Sequence, residues 1–93
     1  MALLSDSDIE ERLGKLDGWS RDGDAIVKTF ENDDFVGSVK FVQALVEPAE
    51  EMGHHPDLEL SWDKVKVKIT NHAEGGLTEN DFELAGKIDG LGS

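Results

Sequence analysis

Three stretches with apolar residues at helical spacing, interleaved with two pairs of short alternating stretches, predict an α+β domain in the order α-β-β-α-β-β-α. Each strand pair carries its own turn signal, so both pairs close as hairpins, and the expected sheet is antiparallel and four-stranded. The order of the elements implies that the three helices lie on one face of that sheet.

The first stretch, SDSDIEERLGKL, offers Ser7 as an N-cap with Glu10 three residues on, and Ile9, Leu13 and Leu16 at helical spacing. A short amphipathic helix stopping near Gly18 is expected. In WSRDGDAIVKTFE, Asp22-Gly23 supplies the turn of a hairpin, with Ile26 and Phe30 on one face of its second strand. The core helix follows in NDDFVGSVKFVQALVEPAEEMG. Asn32 or Asp33 is the expected cap, Phe35, Val39, Val42, Leu45, Val46 and Ala49 form the stripe, and Gly53 is the stop. Pro48 removes the bond to the carbonyl of Ala44, so a kink or break is expected in the last turn and a half.

The second hairpin reads Leu58, Leu60 and Trp62 alternating with Glu59 and Ser61, a tight turn at Asp63-Lys64, then Val65, Val67 and Ile69 alternating with lysines. Thr78 with Asp81 three residues on opens a capping box, and Phe82, Leu84, Ala85 and Ile88 make a closing helix to about Leu91.

The chain has 93 residues, which suit one domain spanning residues 1–93. It contains no cysteine, so it has neither a disulfide framework nor zinc-finger spacing, and a cytoplasmic location is expected. MALLSDSDIEERL lacks the basic and apolar regions of a signal peptide, and no stretch approaches the roughly 20 apolar residues of a membrane span. Acidic residues outnumber basic ones 21 to 9, for a formal net charge of −12, and this field opposes binding to nucleic acid or anionic membranes. A folded, acid-coated domain of this kind suits high salt, where self-repulsion is screened, so a halophilic source is expected. The lysine row at 64, 66 and 68 reads as an open strand face that discourages edge-to-edge aggregation.

Two of the chain's three histidines stand together in EEMGHHPDLELSW. Strand parity turns His72 away from the core or beyond the sheet edge; it lies at the end of the last strand, and His54 and His55 begin the strand paired with it. The hairpin therefore brings all three imidazoles to one end of the sheet, with Glu50 one helical turn before His54. Three readings compete. The pair terminates a helix and His72 is a solvated loop residue; or Glu50, His54 or His55, and His72 form a three-ligand metal site; or two imidazoles flank a substrate and pass protons in opposite directions. Periodicity does not separate the last two.

The spacing Glu50, three residues, His54-His55-Pro56, five residues, Trp62, nine residues, His72, eight residues, Asp81 resembles the signature of the pterin-4a-carbinolamine dehydratase family. Leu16 to Trp19, the Ala49-Glu50 helix end, the Val-Lys-Val-Lys-Ile strand and Gly76-Leu77-Thr78 resemble the family as well. The resemblance implies the helix and strand order derived above, and dehydration of a 4a-hydroxytetrahydropterin, such as the biopterin compound, to the quinonoid dihydropterin without metal or other cofactor. It implies His54 and His72 as the acid/base pair, His55 holding the pterin, and Glu50 orienting a histidine or bonding the ring. Trp62 walls the pterin site or is plain core, and it stands where the family often has tyrosine. Asp81 is expected as the third helical residue of the capping box, with a supporting role in fixing the tautomer of His72 as the other reading. Pro56 starts the strand and fixes where the rings point. The resemblance also implies a homodimer or homotetramer, which an open sheet face and edges favour. A coactivator or other protein-interaction module is the alternative, and a binder of another pterin-like ligand is a third.

Overall fold

A computed structural model of the chain describes residues 3–91. The elements are α1 (Asp6–Leu13), β1 (Ser20–Asp22), β2 (Ala25–Glu31), α2 (Phe35–Met52), β3 (Asp57–Leu60), β4 (Lys64–Ile69) and α3 (Glu79–Leu91). The strands form one antiparallel sheet in the order β1-β2-β4-β3. The expected α+β order is therefore found.

Strand β4 is central because its apolar residues have partners on both sides. Val65, Val67 and Ile69 are fully buried among Ile26, Leu45, Leu84 and Ile88, each such side chain stabilising the fold by about 1.5–3 kcal/mol on burial. Lys64, Lys66 and Lys68 point to the opposite, open face, where Lys66 meets Glu59 at 3.8 Å and Lys68 meets Asp22 at 3.9 Å. Lys28 breaks the pattern by falling between Ile26 and Phe30 on the helix-facing side of β2. It is accommodated by donating to Asp89 Oδ1 at 2.8 Å and to the Asp17 carbonyl at 2.6 Å. Asp89 also accepts from Trp19 Nε1, so the end of α3 is tied to the first hairpin.

Several boundaries differ from expectation, each for a local reason. The α1 cap is Ser5, whose hydroxyl accepts from the Asp8 N–H at 3.2 Å, and Ser7 lies inside the helix. That helix ends at Leu13 with Gly14 as its cap, before Gly18. The α2 cap is Asp34, in an extended conformation and accepting from the Gly37 N–H at 2.7 Å, in place of Asn32 or Asp33. Gly23 alone in the two-residue β1–β2 loop has a positive φ, 62°, the pattern of a type II′ turn.

The helix does not break at Pro48, which lies inside the continuous α2. Ala44, whose carbonyl loses its partner, is exposed to water. The buried stripe of α2 is also shifted. Ser38, Phe41, Leu45 and Ala49 face the core, while Phe35, Val36 and Val46 are more than half exposed. Trp62 lies in the turn between β3 and β4 and is 65% exposed. The strand ends at Leu60 because the Ser61 N–H and the Lys64 carbonyl close the turn at 2.8 Å.

Candidate active site

Histidines 54 and 55 take their positions from the way α2 ends. Gly53 adopts φ 60° and ψ 31°, a left-handed conformation costly for a residue with a Cβ. Its N–H bonds the Glu50 carbonyl at 3.2 Å and the His54 N–H bonds the Ala49 carbonyl at 3.0 Å. These two bonds are a Schellman motif, and with Pro56 two residues beyond they turn the chain sharply from α2 into β3. His72 arrives from the other side. In the β3–β4 register Asp57 opposes Lys68, so the chain beyond Ile69 returns to the start of β3.

Each imidazole has its own carboxylate. His54 is nearly buried, with 12% of its side chain exposed, and its Nε2–H donates to Asp81 Oδ1 at 2.6 Å. His55 Nε2 bonds Glu50 across the last turn of α2. His72 Nε2 lies 3.7 Å from Asp57 Oδ2 on the open face of the sheet. The pair His54–Asp81 differs in kind from the other two, whose members are all more than half exposed.

Asp81 is fully buried and accepts from three donors. Besides His54, its Oδ2 takes the Thr78 N–H at 2.6 Å and the Thr78 hydroxyl at 3.2 Å. A buried carboxylate is tolerated when its lone pairs are filled in this way. The partner of Asp81 is thus His54, not His72, and the capping bonds and the histidine bond coexist on one carboxylate. Because Nε2 carries the proton toward Asp81, the Nδ1 of His54 is the nitrogen left for other chemistry.

Two hollows flank the cluster. One, of about 310 Å³, is largely apolar and lies between α2 and β3, with Val42, Val46 and Leu58 in its walls and Glu50, His55 and Pro56 at its rim. The other, of about 250 Å³, is polar and holds His72 with Asp22, Asp24, Lys68, Thr70 and Asn71. Glu50, His55 and Pro56 thus share one hollow, His72 lines the other, and His54 is held to Asp81 at the start of α3. Trp62 is not brought to the histidines within one chain, since β3 runs away from them to the turn that carries it.

The donors of the alternative metal site do not converge. Among the described residues no group of three or more His, Cys, Asp or Glu is placed to hold a metal ion. Asp57, the neighbour of His72, was not singled out by motif. Its signal was the hairpin register, which sets the start of β3 beside the end of β4. No helix among the described residues is long and apolar enough to cross a membrane.

Comparison with known proteins gives the same direction. The family model for pterin 4 alpha carbinolamine dehydratase matches residues 2–91. A protein of Thermosynechococcus vestitus, provisionally named a pterin-4-alpha-carbinolamine dehydratase, is 50% identical over 95% of this chain and 93% of its own. A Roseiflexus protein under the same provisional name is 50% identical over 92% of each chain. The crystal structure of a transcriptional coactivator/pterin dehydratase from Brucella melitensis superposes with a TM-score of 0.95 at 31% identity, covering 99% of this chain and all of that one. The chain belongs to the pterin 4 alpha carbinolamine dehydratase family.

Proposed function

We propose that this protein dehydrates a 4a-hydroxytetrahydropterin, such as 4a-hydroxytetrahydrobiopterin, to the quinonoid dihydropterin by histidine acid/base catalysis, in the recycling of the reduced pterin. The observation that supports this reading most is the His54–Asp81 pair, a histidine fixed in one tautomer by a buried carboxylate at the end of the sheet that also carries His55 and His72.

The reaction moves protons and one water. The C4a–O bond breaks with its electron pair leaving on oxygen, and an acid delivers the proton that makes it water. A base removes the N5 proton, and that bonding pair becomes the N5=C4a double bond. An acid and a base on opposite sides of the ring are needed together, and His54 and His72 fill those two places. His54 acts through Nδ1, since Nε2 is held by Asp81. His55, oriented by Glu50, holds the ring. Asp81 is a positioning residue for His54, and Pro56 sets the course of β3 beside the apolar hollow. On this reading the protein works in the cytoplasm as a homodimer or homotetramer, as the uncovered edge strand β3 and the exposed apolar residues of α2 favour.

The test is to generate the carbinolamine with an aromatic amino acid hydroxylase and follow its ultraviolet absorbance with and without the protein. Faster decay with catalytic amounts of wild type is expected, and an unchanged decay rejects the enzyme reading.

A second reading, a coactivator or other interaction module, is favoured by one observation. Phe35, Val36 and Val46 leave an apolar stripe of α2 exposed, a surface suited to an amphipathic helix. The similar Brucella protein is a transcriptional coactivator/pterin dehydratase, in keeping with this reading. A tight complex with a helical partner, unaffected by His54→Ala and His72→Ala, supports that module.

A further inference from the structure

His72 is held differently from His54. Its side chain is 78% exposed and meets Asp57 Oδ2 at 3.7 Å on the open face of the sheet, so no packing around the ring fixes where it points. A general acid or base must stand within about 3 Å of the proton it moves, and an unpacked side chain takes its placement from the backbone beneath it. The backbone beneath His72 is the connection from Thr70 to Thr78, which joins β4 to α3 and runs on to Asp81, the partner of His54. One connection therefore carries one histidine and the carboxylate that orients another.

That connection is built like a single turn of helix, capped at both ends. The Asn71 carbonyl accepts the Gly75 N–H at 2.9 Å and the Glu74 N–H at 3.2 Å, and Asn71 Oδ1 accepts the same Glu74 N–H at 3.2 Å. This is the bond pattern of an N-cap, with His72 as the first residue of the turn. Gly75 ends the turn with φ 76°, a left-handed conformation with open space where a Cβ would stand. Asn71 and Gly76 exchange their peptide groups at 3.1 and 3.3 Å and so close the neck of the loop. Beyond the neck Gly76, Leu77 and Thr78 are buried, and the Leu77 carbonyl takes the Leu4 N–H at 2.9 Å. The far side of the loop is thus fixed by the core. The near side, where His72 stands, rests on Asn71, with the Thr70 hydroxyl donating to the Asp24 carbonyl one residue back.

We infer that Asn71 is a positioning residue for His72: its side chain caps the turn that begins at the histidine and so holds the exposed imidazole at the polar hollow. Asn71 lines that hollow as well, and positioning differs from direct contact with substrate in its kinetics. A positioning loss falls on kcat, whereas loss of a binding contact falls on KM. The catalytic consequence rests on the dehydratase reading, while the capping of His72 does not.

Asn71→Ala removes Oδ1 and leaves the backbone carbonyl to accept from Glu74, so the fold is kept. Its Tm is expected to drop by about 4–8 °C, as loss of one cap does in a domain of this size. Its kcat is expected to fall by a factor between about five, by which loss of a cap shifts an ordering equilibrium, and about one hundred, the cost of a 1 Å misplacement. KM stays within about twofold. Asn71→Ser keeps a capping oxygen and is expected to return kcat to within about twofold of wild type. Asp34→Ala removes an N-cap of the same kind at the end of α2 far from the histidines, and it should lower Tm similarly with kcat unchanged. Unchanged kcat in Asn71→Ala, a loss confined to KM, or a serine variant as slow as the alanine variant overturns the inference. Amide relaxation supplies a readout that needs no substrate. Backbone order parameters of residues 72–74 are expected near about 0.85 in wild type and Asn71→Ser, and below about 0.6 in Asn71→Ala. If wild type does not accelerate dehydration, the dehydratase reading fails alone, and these order parameters decide whether Asn71 fixes His72; equal values in the three proteins overturn it.

Discussion

Asp81→Asn isolates the role of the one buried carboxylate, because asparagine keeps the shape and removes the charge. The carboxylate accepts from His54 Nε2, the Thr78 N–H and the Thr78 hydroxyl, at 2.6, 2.6 and 3.2 Å. Asparagine has one acceptor oxygen, so its amide must turn hydrogens either toward Thr78 or toward His54. Losing a hydrogen bond to a charged group costs about 1.5–3 kcal/mol, and losing a helix cap about 1 kcal/mol. Together these give about 2.5–4 kcal/mol, which lowers Tm by about 10–30 °C in a domain of this size. If the amide faces His54, the imidazole takes the opposite tautomer, and Nδ1 no longer offers the same proton inventory to the substrate. The kcat is then expected to fall about 10²–10⁴-fold, the range that a positioned acid or base contributes. Thr78→Ala is the matched control. It deletes the longest of the three bonds and keeps the N–H, so it should cost about 1 kcal/mol of stability and leave kcat within a few-fold. Melts followed by circular dichroism give the stability, and stopped-flow absorbance below the melt gives kcat. An Asp81→Asn protein with reduced Tm and unchanged kcat refutes the positioning role and leaves Asp81 as a helix cap.

Other consequences concern the ends of α2 and the surface charge. Gly53→Ala meets no atom within 4 Å, so its cost is conformational alone, about 1–2 kcal/mol for a left-handed residue; a melt shows it, and a larger proportional loss in kcat than in stability is expected because His54 follows directly. Pro48→Ala restores an N–H facing the Ala44 carbonyl in an unbroken helix and is expected to raise stability by about 1 kcal/mol; a lower melting temperature would mean that the proline ring packs better than its missing bond costs. With a net charge of −12, the protein is expected to melt higher in molar potassium chloride than in dilute buffer; equal melts contradict the halophilic reading.

Much of this fold was written in the local pattern. The alternation of Val65, Val67 and Ile69 with lysines located the last strand and its two faces, because a strand covered on one side must separate apolar from charged residues at a period of two; that this strand lies inside the sheet was not legible there. The clustering of His54, His55 and His72 at one end followed from hairpin parity alone. Other features depended on tertiary choices. Phe35 and Val46 fit a helical stripe as well as Phe41 does, and only the position of the sheet decides which side of α2 is covered. Caps shifted by one or two residues because runs such as Ser5-Asp6-Ser7 and Asn32-Asp33-Asp34 offer several competent side chains. The partner of Asp81 was missed because nothing in the spacing says which histidine α3 approaches. Trp62 extends the alternation of Leu58 and Leu60, but the turn closes before it.

The most direct test of His54 and His72 as an acid/base pair is the carbinolamine decay rate in His54→Gln, His72→Gln and the double variant. Two groups serving one proton-transfer step act as a unit. Each single substitution is therefore expected to remove most of the acceleration, and the double little more. A single variant that retains wild-type rates, or two small losses that simply multiply, contradicts the pairing of these histidines in one step.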